Sequence, residues 1–188
     1  MSLASTLAAL EDLKKLNLPE PAPREELDYL LTDVRAFITR YVVLTESQLV
    51  VVTLWAAHTW AIDAFDVTPY IAAMSAEARS GKSRLQEVSE LIVKSPWRVL
   101  QPSEAVLFRK IAAAKPTLLF DEVDAVFGQR VSDSQEGVRA VLNGGFQRGV
   151  TVPRCSNKGD KLEDFEVFCP KFLAGIGNLL PRSGIAHS

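Results

Sequence analysis

The stretch that most constrains this chain is YIAAMSAEARSGKSRLQEVSEL, residues 70–91. Pro69 stops any helix arriving from upstream. YIAAMSA is then a short apolar run beside a turn signal, which predicts a buried strand. From Lys82 onward, Leu85, Val88, Leu91 and Ile92 recur at helical spacing. This predicts a helix over 82–94, ended by Ser95-Pro96. A loop carrying Gly81-Lys82-Ser83 therefore joins a strand to a helix. Such a unit belongs to α/β architectures, and it brings backbone N–H groups and a lysine to a helix N-terminus.

That arrangement suits a phosphate-bearing ligand. The phosphate-loop pattern is Gly, four residues, then Gly-Lys-Ser/Thr. Its second half is present; Ala76 stands at its first position. Alanine there costs about 1 kcal/mol if the turn needs a glycine conformation. Ala76, Glu77, Ala78, Arg79, Ser80, Gly81, Lys82, Ser83 and Arg84 form the candidate nucleotide-binding stretch. Lys82 is expected to reach the β- and γ-phosphates and Ser83 to ligate Mg²⁺. The competing reading is a chance Gly-Lys-Ser in a solvated turn.

A second signal follows in chain order. TLLFDE places Asp121 and Glu122 directly after the predicted strand Thr117–Phe120. A carboxylate pair at a strand end is what the metal-and-water half of a nucleotide site requires. Asp121 is the candidate metal support and Glu122 the candidate base for an attacking water. The alternative is an N-capping pair at a strand-to-helix turn. Further on, FLAGIGN predicts another buried strand, with Asn178 at its tip as a candidate γ-phosphate sensor or a plain turn residue. Arg148, Arg154, Lys158 and Lys161 gather in a predicted hairpin before that strand, and the first three are candidate nucleic-acid contacts. Glu163, Asp164 and Glu166 offset them, so a solvated hairpin competes with that reading.

The remaining elements fill in an α/β pattern. Residues 1–17 read as a short amphipathic helix, followed by the proline-rich linker LPEPAPREE. A helix over about 25–42 is predicted from Leu27, Leu31, Val34 and Ile38. Thr45 and Gln48 form a capping box before a Leu49–Phe65 helix that is apolar nearly all round and expected to be buried on most sides. WRVL at 97–100 is a second strand, and helices are expected from Ser103 to Ala114 and from Gln135 to Phe146. GVTVPRC and FEVFCPKFLAGIG read as two strands, the second continuing into a buried strand at about Phe172–Ile176, with Cys155 and Cys169 on the two hairpin strands as small apolar residues. Trp55 and Trp60 read as core, and His58 as a hydrogen-bonded core histidine.

With 188 residues, 47% hydrophobic and 23% charged, the chain can build a substantial core. A net charge of −2 gives no whole-protein basic field, so a nucleic-acid partner needs a local patch. Two cysteines are too few for a disulfide framework, and a reduced, cytoplasmic setting is expected. Leu49–Ile62 is too short and too interrupted for a membrane span, so no membrane partner is expected.

Four stretches carry a family resemblance: EARSGKSRLQE (77–87), LLFDEVDAVFG (118–128), LNGGFQRG (142–149) and CPKFLAGIGNL (169–179). Together they resemble helicase- or primase-associated ATPases of phages and mobile elements, P-loop proteins of the AAA+/RecA-like group, over about residues 40–179. The resemblance implies an α/β P-loop NTPase core, with a mostly parallel central sheet flanked by helices, at 67–188. An N-terminal helical region would occupy 1–66. It implies ATP and Mg²⁺ as ligands and a role in DNA replication or recombination. Single-stranded or branched DNA and a homo-oligomer or full-length ATPase partner are the partners it suggests, in a host bacterial cytoplasm if phage-encoded. The family pattern continues past the sensor strand with Leu-Pro-Asp-Thr and an Asp-Arg pair, where this sequence reads NLLPRSGIAHS. That departure keeps open a second expectation, a hydrolysis-deficient nucleotide- or DNA-binding module that acts through a partner ATPase.

Overall fold

A computed structural model describes residues 24–75, 81–123, 133–155 and 162–176. Helix α1 spans Arg24–Thr39 and α2 spans Glu46–Trp60, with a single 3-10 turn at Ile62–Ala64. The α/β part follows as β1 (Tyr70–Ser75), α3 (Lys82–Glu90), β2 (Pro96–Leu100), α4 (Glu104–Ala114), β3 (Thr117–Asp121) and α5 (Asp133–Gly144). It closes with β4 (Thr151–Cys155), β5 (Leu162–Glu166) and β6 (Lys171–Ile176). The expected segments at 1–17 and in the proline-rich linker before Arg24 lie outside the described residues.

Four strands form one sheet in the order β1-β6-β3-β2, and every neighbouring pair is parallel. Parallel strands need crossover connections, so both faces of the sheet are covered and the strands become apolar on both sides. Successive side chains alternate between the faces. Leu118, Phe120 and Leu173 pack with Leu107, Phe108 and Ile111 of α4 and Val138, Val141 and Leu142 of α5. Leu119, Phe172 and Ala174 point the other way, onto Leu85 and Val88 of α3 and Leu49, Val52 and Trp55 of α2. One apolar cluster thus runs across the expected 66/67 boundary, joining α1 and α2 to the sheet.

Local chemistry sets the ends of these elements. Thr45 and Gln48 make the reciprocal capping box at the start of α2. At its other end α2 is stitched to the turn before β2: Trp60 Nε1 donates to Ile92 O, and Lys94 N donates to Thr59 Oγ1. The helix stops at Trp60, five residues short of the expected Phe65, and it is not buried all round. Val51, Leu54 and Trp60 are exposed, because α2 lies on the sheet with one side and meets α1 along another. Trp60 is therefore not a core residue, whereas Trp55 is, with its indole N–H donating to Pro69 O.

Two further expectations, the end of α3 and the strand position of Cys169, are corrected. Helix α3 ends at Glu90 rather than 94, and Leu91 points to solvent. The hairpin expected before the last strand is present, β5 pairing antiparallel with β4 as a separate unit, and Val167–Pro170 carries the chain into β6. Cys169 is buried in that crossing segment, and Cys155 on β4 is exposed.

Candidate functional site at the carboxyl end of the sheet

All four parallel strands end on one side, and among the described residues Gly81, Lys82, Ser83, Asp121 and Glu122 lie at that end. Helix α3 starts right after Gly81, whose φ of +85° puts it in the left-handed region that favours glycine. Gly81 at the N-cap has no side chain to cap this helix, whose N-terminus is an electropositive end. Lys82 is half-buried, while Ser83 and Arg84 are exposed. Beside them an open groove of about 500 Å³ runs along β1 and reaches Gly81 and Lys82. Its walls include Val42, Leu44, Val51 and Ile71. Ala76, Glu77, Ala78, Arg79 and Ser80 lie outside the described residues, as do Asn178 and Lys158.

Asp121 ends β3 on the α3 side of the sheet, opposite in direction to Phe120. One carboxylate oxygen accepts the N–H of Glu122 at 3.1 Å, and the other accepts from Arg98 Nη2 at 3.4 Å. Arg98 also faces Glu87 at 3.8 Å, and Glu87 pairs with Arg84 at 3.0 Å. A chain of alternating charges thus runs from the first turn of α3 to the end of β3. Sequence reasoning missed Arg98. The signal available was its position in WRVL, where Trp97 and Val99 face the apolar side and Arg98 must face the other.

Glu122 is exposed and adopts φ +56°, a conformation uncommon for a residue other than glycine. Its neighbour Val123 returns to the sheet by donating its N–H to Ala174 O, and is fully buried. The chain therefore bulges at Glu122 and pushes its carboxylate out beyond the strand ends. Gln101 at the end of β2 has φ +47° and donates from Nε2 to Glu122 Oε2 at 3.5 Å. Two left-handed residues side by side store backbone strain at this end of the sheet. Gln86 on α3 is a second residue missed from sequence: it is fully buried, and neither side-chain amide atom has a hydrogen-bond partner. Among the described residues no three His, Cys, Asp or Glu side chains converge as a protein-built metal cage.

The arginines expected to touch nucleic acid lie elsewhere and are engaged by the protein itself. Arg148 precedes the hairpin. It donates to Phe65 O from Nε at 3.1 Å and to Ile62 O from Nη2 at 3.0 Å, and it lies over the Phe168 ring at 4.6 Å. It thereby ties the turn after α5 to the end of the 3-10 turn. Arg154, on β4, lies over the Phe108 ring at 4.5 Å with Glu104 at 3.5 Å. These two guanidinium groups brace the structure, and the exposed hairpin carboxylates Glu163 and Asp164 add no positive field.

At the opposite end of the sheet, Lys171 begins β6 fully buried. Its Nζ donates to the carbonyls of Gly145, Val167 and Cys169 at 3.0, 3.2 and 3.0 Å and sits 4.8 Å from the Tyr70 ring centre. Burial pushes its pKa below the ordinary lysine value, and Cys169 beside it acts in the opposite sense. A side chain on Gly145 would run into this ammonium and the Val167 carbonyl. His58 shares a 3.0 Å hydrogen bond with Thr68 Oγ1, as expected for a half-buried histidine, and burial lowers its pKa. No helix among the described residues is long and apolar enough to cross a membrane.

Comparison with protein-family models finds no match to this chain, and comparison with curated proteins finds none either.

Proposed function

We propose that the protein binds ATP with Mg²⁺ at the carboxyl end of its sheet and hydrolyses it. In this reading it is a P-loop NTPase of the AAA+/RecA-like group serving DNA replication or recombination in a phage or mobile element. One observation carries the reading. The Gly81-Lys82-Ser83 helix start and the Asp121-Glu122 pair come from distant parts of the chain, and a parallel sheet brings them to the same end. Ligands of open α/β sheets bind at that end.

Each residue has a task its chemistry suits. The N-terminus of α3 and the Lys82 ammonium attract phosphate oxygens. The apolar groove beside β1 is large enough for the nucleoside. Ser83 and Asp121 are hard oxygen donors of the kind that hold Mg²⁺ together with phosphate and water oxygens. When bound, the ion offsets phosphate charge. Glu122, set out from the strand ends, would take the proton of the attacking water. Asn178, two residues after β6 in the sequence, is proposed as the γ-phosphate sensor.

Phosphate release from ATP with Mg²⁺, with and without single-stranded, duplex and branched DNA, tests the reading. Lys82→Ala should abolish tight ATP binding. Glu122→Gln should keep binding and stop turnover. Unchanged ATP affinity in Lys82→Ala would sink the loop assignment.

A second reading, a hydrolysis-deficient module that works through a partner ATPase, draws support from the same site. Glu122 is turned toward Gln101, and Asp121 is held by Arg98. Lys82-dependent binding without turnover would favour it.

A further inference from the structure

Among the described residues that are buried as a whole, polar side chains are satisfied with one exception. Thr53, Thr59, Ser89 and Thr117 each donate to a backbone carbonyl at 2.6–2.8 Å. Thr68 shares a hydrogen bond with His58, and Lys171 meets three carbonyls. Gln86 is fully buried too, yet neither Oε1 nor Nε2 has a partner. A buried amide left unpaired destabilises the fold, and each such group in a native protein calls for an explanation.

The place of Gln86 on α3 shows what it can reach. The helix starts at the carboxyl end of the sheet, and its buried residues are Leu85, Gln86, Val88 and Ser89. With about 100° between successive residues, Gln86 projects between Leu85 and Glu87. Leu85 lines the groove along β1. Glu87 faces Arg98, the arginine that holds Asp121. Gln86 is also one turn on from Lys82, about 6 Å further along the axis. Its side chain is thus directed at the sheet between the lysine and the acid pair.

The sheet surface beneath has room for an amide. Ala73 is in register with Ala174, Leu173 with Phe120, and Leu100 with Asp121. One residue beyond the Phe120–Leu173 pair, Asp121 comes beside Ala174. Ala73, Ala174 and Asp121 therefore form one row on the α3 side of the sheet. Two of these three side chains are single methyl groups, so a long side chain from α3 can cross them to the carboxylate. Gln86 is the buried residue of α3 with both the length and the donor. In the free protein Asp121 is occupied by the Glu122 N–H and by Arg98, and Gln86 stays unpaired.

We propose, on the Mg²⁺–ATP reading of the site, that Gln86 is a positioning residue for Asp121 in the nucleotide-bound state. When Arg98 withdraws toward Glu87 and leaves Asp121 to the cation, Gln86 Nε2 donates to the carboxylate. A hydrogen bond to a charged acceptor is among the stronger ones, so it fixes the orientation of Asp121. It also gives the buried amide the partner it lacks in the free protein.

Gln86→Met keeps the length of the side chain and removes both polar atoms. Wild type, Gln86→Met, Asp121→Asn and the double variant are compared by two measurements. These are the melting temperature without ligand and the Mg²⁺ concentration for half-maximal ATP binding. Gln86→Leu repeats both should methionine pack poorly, and Lys82→Ala is the control for the site itself. The expected result is a higher ligand-free melting temperature in Gln86→Met, with the Mg²⁺ midpoint raised about tenfold. In the Asp121→Asn background, adding Gln86→Met should move the midpoint no further. A lower ligand-free melting temperature in both apolar variants would overturn the proposal, because the amide would then be bonded in the free protein. An unmoved Mg²⁺ midpoint, or an equal shift with and without Asp121→Asn, would overturn it while leaving the site reading intact. ATP binding unaffected by Lys82→Ala would instead remove the site reading, and the proposal with it.

Discussion

Arg98 Nη2 lies 3.4 Å from Asp121 Oδ2, and the same guanidinium faces Glu87 at 3.8 Å. An arginine between two carboxylates has a second place to go when one of them is needed for another cation. If Asp121 supports Mg²⁺, Arg98 competes for it. Half-exposed pairs of this type are worth about 0.2–1 kcal/mol. Arg98→Met should therefore lower the Mg²⁺ concentration for half-maximal ATP binding by about 1.4- to fivefold. A Mg²⁺ titration at fixed nucleotide reads this directly. A purely structural arginine would leave that midpoint in place or raise it.

Glu122 pays a conformational penalty at φ +56° that glycine would not. Glu122→Gly should raise stability by up to about 1 kcal/mol and remove the proposed base together. Denaturant unfolding and ATP turnover on the same variant check both halves. A gain in stability with turnover intact would separate the strain from the chemistry and remove Glu122 from the proposed mechanism.

Lys171 satisfies three buried carbonyls that have no water to turn to. Lys171→Met keeps the apolar stem and loses all three hydrogen bonds, so it should destabilise by about 3 kcal/mol or more. Urea midpoints give the measurement. ATP binding by the fraction that remains folded should be unaffected, since the ammonium lies at the end of the sheet opposite the candidate site.

The His58 imidazole has its pKa lowered by burial, while an unfolded chain titrates near 6.5. Between these values the unfolded state binds more protons, so stability falls as pH drops from about 6.5 toward the folded-state pKa. The loss then levels off. The melting temperature of the wild type should fall more steeply over that interval than that of His58→Gln. Parallel curves would mean that His58 contributes no linkage.

Much of the fold was legible in the chain, because its signals are local. The capping box at Thr45 and Gln48, the apolar run 70–75, the helix after Gly81 and the strand ending at Asp121 depend on a few neighbouring residues each. What was misread depends on company. Leu91 and Trp60 carry core chemistry but point to solvent. Arg148 and Arg154 look like free positive charge, but backbone carbonyls, a carboxylate and aromatic rings engage them across long sequence separations.

By itself, the sequence determined the alternation of strand and helix, the glycine-lysine start of α3 and the acid pair after a buried strand. Periodicity, caps and turn residues act within a few positions of one another. Only the tertiary structure decided the strand order, which sets β6 between the lysine-bearing and acid-bearing elements. It alone placed Arg98 on Asp121, bent the backbone at Glu122 and buried Lys171 among three carbonyls. These outcomes follow from which apolar faces find each other across the sheet, a long-range competition among burial energies that no local pattern encodes.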